Sequence, residues 1–272
     1  MLAACSSSGN PGNDSAGDAV NEAVAANFVN AMAGLPPAAP AGVPFSLSEK
    51  TDLLEFVYAY PAEAAAIPRL VRKFRRDIDT SRADALKMAR EDRDAAKAAD
   101  FPFRGHSLET RWTVAADTPR FLALRSETYV FTGGAHGMTG YEALIWDKAR
   151  KRETSMAALM TSSADFADAI RDAFCERLDR ERAVKRGGPV VRGDDPFTDC
   201  IDPMEQVLVP TSRDGKLIDA ITVLIGPYAA GPYAEGSYDV TIPVTPAIFA
   251  TIKTEYQDGF AGGADQESRG TP

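Results

Sequence analysis

The feature that most constrains this chain is a change of hydrophobic period near residue 106. Upstream, Ile67, Leu70, Val71, Phe74 and Ile78 recur at the spacing of one face of an amphipathic helix. That pattern runs on through Ala85, Met88 and Ala89 towards Ala99. From His106 the period becomes two: Leu108, Thr110, Trp112 and Val114 alternate with Glu109, Arg111 and Thr113, which is a strand. Thr118-Pro119 turns the chain into a second strand, Phe121–Phe131, and Tyr141–Trp146 makes a third. The three form an antiparallel meander beside a long helix, so the fold class is α+β. The second turn of the meander, or a bulge beside it, falls on Phe131-Thr132-Gly133-Gly134-Ala135-His136-Gly137. Three glycines in five residues mark backbone that reaches positive φ or packs very close to a neighbour.

The remaining elements suggest a second α+β half. A strand over Asp52–Tyr60, stopped by Pro61, precedes the first helix. A second helix begins near Ser162 or Ser163, with Asp165 placed as in a capping box and Phe166, Ile170, Phe174 and Leu178 as its apolar face. Glu205–Pro210 and Leu217–Ile225 read as strands joined by Ser212-Arg213-Asp214-Gly215, and Tyr238–Ile242 as another. Thr245-Pro246 opens a last helix, with an N-cap followed by proline at the first helical position. The expected organisation is a tether over 1–45, an α+β domain over 46–147, another over 148–258 and a frayed tail over 259–272. Antiparallel meanders pack with two to three long helices in these two sequential halves.

Charge and cysteines bear on partner and compartment. The net charge of −9 argues against nucleic acid, which draws on a basic surface. Arg69, Arg72, Lys73, Arg75 and Arg76 cluster on the first helix and read as its solvated face, balanced by Asp77, Asp79, Asp84, Glu91 and Asp92. No apolar run approaches the roughly 20 residues that span a bilayer. Leu2-Ala3-Ala4-Cys5 resembles the lipobox of bacterial lipoproteins, in which the cysteine is lipidated. The small polar run after it suits a tether. A secretory signal needs an apolar stretch before cleavage, and only four residues precede Cys5, so the expectation is a start upstream of Met1 or a trimmed chain. Ser6 after that cysteine points to the periplasmic side of an outer membrane if the host is Gram-negative. With Cys5 lipidated, Cys175 and Cys200 remain as an even pair: a disulfide pinning the loop 186–203 to the second helix, or two buried thiols.

Two segments stand out as contact candidates. One is the 133–137 turn with Gly133, Gly134 and His136. The other is a five-residue repeat, Gly226-Pro227-Tyr228-Ala229-Ala230, Gly231-Pro232-Tyr233-Ala234-Glu235 and Gly236-Ser237-Tyr238-Asp239-Val240. Gly-Pro steps force turns and hold Tyr228 and Tyr233 on a stiff loop, either as contact residues for a sugar ring or protein or as covers for a gap in the core. Catalytic signatures are missing: no G-x-S-x-G, S-x-x-K, H-E-x-x-H, C-x-x-C, Walker A loop or G-x-G-x-x-G occurs. With His106 and His136 as the only histidines, a zinc site would need carboxylates or a thiol. Asp194, Asp195, Asp199 and Asp202 offer calcium ligands, but their spacing matches no EF-hand and a solvated loop is the plainer reading. No metal and no cofactor is expected. His136 is either a structural residue bonded to backbone or the acid–base group of a glycan hydrolase, with Glu127, Glu142 or Asp147 as partner.

Together the two halves suggest a family. The strand ending Tyr60-Pro61, the helix and the meander bearing Thr132-Gly133-Gly134-Ala135-His136-Gly137 resemble the N-terminal domain of PdaC-type peptidoglycan deacetylases. The stretch Gly231-Pro232-Tyr233-Ala234-Glu235-Gly236 with Val240-Thr241-Ile242-Pro243 resembles the RsiV-like domain of unknown function. The likeness spans roughly residues 50–258. PdaC owes its chemistry to a separate deacetylase domain with a metal-binding Asp and His set that nothing here matches, and RsiV carries a transmembrane helix and a sigma-binding segment that this sequence lacks. The resemblance therefore implies a non-enzymatic envelope lipoprotein that binds a lysozyme-like protein or cell-wall glycan, with Tyr228, Tyr233 and the 133–137 turn in contact. A glycan hydrolase using His136 and a structural envelope subunit are the alternatives.

Overall fold

Leu70, Phe74 and Ile78 lie one helical turn apart and are buried, so the helix that carries them has one face to hide. The computed structural model describes residues 42–193 and 197–262. In it that helix, α2 (Pro68–Ala98), follows the single turn α1 (Ala62–Ala65) and starts with proline at its first position. Its apolar stripe lies on the aromatic face of a six-stranded sheet. Phe74 stacks on Tyr60 at 4.9 Å and tilts against Trp112 at 5.3 Å between ring centroids. Tyr58 accepts a hydrogen bond from Trp112 Nε1 at 3.0 Å, which satisfies the indole inside the core.

The sheet runs in chain order: β1 (Phe45–Lys50), β2 (Leu54–Tyr60), β3 (His106–Asp117), β4 (Phe121–Phe131), β5 (Met138–Asp147) and β6 (Arg152–Thr154). The meander β3–β4–β5 is antiparallel as its periodicity requires. The β2–β3 pair is parallel, because α2 carries the chain back across the sheet before β3 begins. β1 forms a hairpin with β2 and buries Phe45 and Leu47.

The later segment contributes α3 (Met156–Leu159), α4 (Ser163–Arg186), β7 (Val207–Thr211), β8 (Ala220–Ile225), β9 (Tyr238–Pro243) and α5 (Pro246–Ala250). Ser162 and Thr245 cap α4 and α5, accepting hydrogen bonds from the backbone nitrogens of Asp165 and Ile248. β7 starts at Val207 because Pro203–Glu205 forms a 3₁₀ turn capped by Asp202, so that aspartate is a capping residue. β7, β8 and β9 form an antiparallel three-stranded sheet. The α4 stripe of Phe166, Ile170, Phe174 and Leu178 packs on it in a core that also takes in Ala116, Phe121, Ala123 and Ile145 of the first sheet.

Cys175 and Cys200 are disulfide-bonded, with Cα atoms 5.4 Å apart. The expected frayed tail over 259–272 is corrected at its start, residues 259–261. Phe260 and Ala261 are buried, Phe260 lies 5.9 Å from Phe121 between centroids, and Ile218 exchanges backbone bonds with Gly259 and Ala261. Apolar burial holds the chain in place as far as Ala261. Cys5, most of the expected tether, Asp194, Asp195 and residues 263–272 lie outside the described residues. Among the described residues no helix is long and apolar enough to cross a membrane.

Candidate functional site

The glycine-rich segment closes the β4–β5 hairpin, since Val130 pairs with Met138 and Thr132–Gly137 lie between. Its glycines serve different ends. Gly133 and Gly134 have φ of +99° and +84° with open space around them, so backbone conformation is what requires glycine there. At Gly137 a Cβ would lie 2.5 Å from Tyr129 Cε2 and Oη, so close approach of the ring is what requires it. Arg104 donates to Gly134 O at 2.9 Å and spreads over the Phe131 ring, tying the loop to the segment before β3.

The tyrosine repeat forms the β8–β9 connection. Ala229 N bonds Gly226 O at 3.3 Å, closing a turn with Pro227 and Tyr228 as its central residues. Proline sets the first, and Tyr228 sits at φ +69°, where a type II turn ordinarily has glycine or asparagine. A non-glycine residue there costs about 1–2 kcal/mol. The strained side chain is nonetheless 48% exposed. The three tyrosines of the repeat go progressively inward: Tyr228 is exposed, Tyr233 half-buried and Tyr238 buried.

Helix α4 braces this loop from beneath. Arg182, fully buried, donates from Nε to Ala230 O at 2.9 Å and from a guanidinium nitrogen to Asp199 O at 3.0 Å. One turn on, Lys185 donates to Glu235 O at 2.7 Å, and Arg186 holds the Glu235 carboxylate at 2.8 and 3.1 Å. Tyr238 donates its hydroxyl to the same carboxylate. Burial pushes the Glu235 carboxyl up, but the Arg186 and Tyr238 hydrogen bonds outweigh it and hold the group below its usual range. Burial, then the bond to Glu235, pushes the Tyr238 hydroxyl up to about 12.

The two loops meet. The His136 ring stacks on Tyr233 at 3.7 Å and 18°, and Tyr228 tilts against both, 6.1 Å from His136 and 5.6 Å from Tyr233. Tyr233 donates its hydroxyl to Gly137 O at 2.9 Å, and His136 Nδ1 is 3.1 Å from the same oxygen. A carbonyl only accepts, so this contact assigns the proton to Nδ1 and leaves Nε2 to accept from the Tyr228 hydroxyl at 3.3 Å. His136, Tyr228 and Tyr233 thus meet in one aromatic platform, while Gly133 and Gly134 shape the loop that carries His136.

The carboxylates considered as partners of His136 do not bond it. Asp147 is fully buried between Arg120 and Arg150, whose bonds outweigh the effect of burial and hold its carboxyl below the usual range. Glu127 stands opposite Arg111 and Tyr141, and Glu142 opposite Ser126. None bonds His136, both of whose ring nitrogens have other partners. Among the described residues no three His, Cys, Asp or Glu side chains are grouped to hold a metal. Sequence reasoning missed Tyr129, Arg104 and the arginines of α4. Their signal was only that an arginine at 182 continues the apolar series of α4.

No curated protein matches the chain. Solved structures similar to it include two of the DUF3298 family. A DUF3298 family member from Bacteroides fragilis has 18% identity over 74% of this chain and 88% of its own, with a TM-score of 0.45. A DUF3298 family protein from Pseudomonas aeruginosa has 16% identity over 83% of this chain and 99% of its own, with a TM-score of 0.46. Residues 47–139, from β1 through the glycine–histidine loop, match the family model described as deacetylase PdaC.

Proposed function

We propose that this chain is a non-catalytic binding module of the bacterial cell envelope, anchored by lipid on Cys5. It offers the His136–Tyr228–Tyr233 platform to a lysozyme-like protein or to cell-wall glycan. The observation that carries the reading is Tyr228: an exposed aromatic held in left-handed backbone against His136, on a loop braced by α4. Strain retained beneath an exposed aromatic is the mark of a preorganised contact residue. The stacked ring and two satisfied nitrogens of His136 favour a positioning role over acid–base work. The Cys175–Cys200 bond supports the envelope, because disulfides persist in oxidising compartments. The resemblance of residues 231–243 to RsiV makes lysozyme the first protein to try.

The test is titration calorimetry of the full chain against hen-type lysozyme and against purified peptidoglycan. Saturable binding to one of them, lost in Tyr228→Ala while the chain stays folded at the assay temperature, is the expected result. Binding to neither ligand removes the proposal.

A further inference from the structure

We infer that the uncovered half of the first sheet is a subsite for a neutral glycan chain that leads onto the aromatic platform. This rests on the binding-module reading above and narrows it to one ligand class. The face of β3–β5 that points away from α2 is divided in two. Ala116, Phe121, Ala123 and Ile145 are roofed by the second sheet and α4. Beyond that roof, Glu109, Arg111 and Thr113 of β3 and Arg125, Glu127 and Tyr129 of β4 line an open groove of about 430 Å³.

The groove has built ends. At one, Arg125 pairs with Asp239 of β9 and lies over the Tyr141 ring, 5.6 Å from its centroid. At the other, the Tyr129 ring packs on Gly137, whose carbonyl receives the Tyr233 hydroxyl. Floor and platform are therefore continuous. Three side-chain positions along β4 at period two span about 13 Å, the length of a short oligosaccharide rather than one sugar.

The lining selects the ligand. Two arginines face two glutamates, Arg111 bonds Glu109 at 2.6 Å and stands opposite Glu127, so the groove carries no net charge with which to draw an ion. Val114 is its one aliphatic side chain, which leaves little for an acyl chain or an apolar peptide. What it offers is planar donors beside planar acceptors, with the Tyr129 ring at the end nearest the platform. Vicinal hydroxyls both donate and accept, and sugar C–H faces stack on aromatic rings. A neutral glycan chain matches on both counts.

The test uses the full chain and, as probe, a β-1,4-linked tetramer of N-acetylglucosamine, read by calorimetry and by amide shifts over residues 109–113 and 125–129. Wild type is expected to bind it, with shifts in those strands. Arg111→Ala and Glu127→Gln are expected to weaken it at least tenfold at unchanged melting temperature. Tetramer binding that both groove variants leave intact overturns the inference. So does a chain that ignores the tetramer yet still binds lysozyme or peptidoglycan through Tyr228, an outcome that leaves the binding-module reading standing. Binding to none of the three ligands removes both.

Discussion

Replacing Tyr228 by alanine and by glycine should reverse the usual order of those two residues. Both changes delete the phenol and its 3.3 Å bond to His136, so those losses cancel when the variants are compared with each other. At an ordinary loop position alanine is the more stable by about 0.4–1 kcal/mol, because glycine frees the unfolded chain. Here φ is +69°, and a Cβ in that conformation costs about 1–2 kcal/mol. The second effect exceeds the first, and Tyr228→Gly should be more stable than Tyr228→Ala by about 0.5–1 kcal/mol. Urea unfolding at neutral pH, with m-values checked for equality, measures the difference directly. In a thermal scan it corresponds to about 1–4 °C for a domain of this size. Both variants should lose ligand binding alike, since the platform needs the ring. Alanine more stable than glycine by the ordinary margin of about 0.4–1 kcal/mol would refute the reasoning: the position would then carry no strain, and Tyr228 would lose its standing as a residue kept there for contact.

Three further outcomes follow from the same geometry. Gly137→Ala should cost about 1–2 kcal/mol by overpacking against Tyr129, and most of that cost should vanish in a Tyr129→Ala background; single-variant effects that simply add would exclude the collision. Cys175→Ser should lower stability by about 3 kcal/mol, since the bond closes a loop with a sequence separation of 25; wild type that unfolds identically with and without reductant would show no such bond. Glu235 is held below its ordinary value of 4.5 in the fold, so its contribution is present above pH 4.5 and lost as pH falls through the folded value. The stability gap between wild type and Glu235→Gln should therefore be flat above about pH 5 and close below 4.5, and a gap constant down to pH 3 would be the contrary result.

What could be read from sequence was what is encoded locally. The stripe 70–74–78, the alternation 108–114 and the Ser162 cap each involve residues a few positions apart, and all three recur in the fold. The glycines at 133 and 134 marked a turn because their conformations are intrinsic to glycine. The parallel β2–β3 pairing has no such signature, because it depends on where a 31-residue helix returns the chain. The tail was misread for a related reason. Tyr256 and Phe260 have helical spacing within a polar stretch, and Phe121, far back in the chain, is part of the surface on which they bury.

The meeting of His136 with Tyr228 is the extreme case, since 92 residues separate them and no local rule links the two turns. Yet one residue between them registers the tertiary contact. The α4 series Phe166, Ile170, Phe174 and Leu178 continues at the same interval to Arg182, a position whose burial the helix geometry dictates. A guanidinium taken into the core must find acceptors or cost several kcal/mol. Backbone carbonyls are the only neutral acceptors a core can supply in number, and secondary structure leaves them free chiefly in loops. In this chain Asp179, one turn back, accepts from the Arg182 guanidinium at 3.2 Å, and the remaining acceptors are carbonyls of loops folded down onto the helix, one of them the loop that carries Tyr228 and Tyr233.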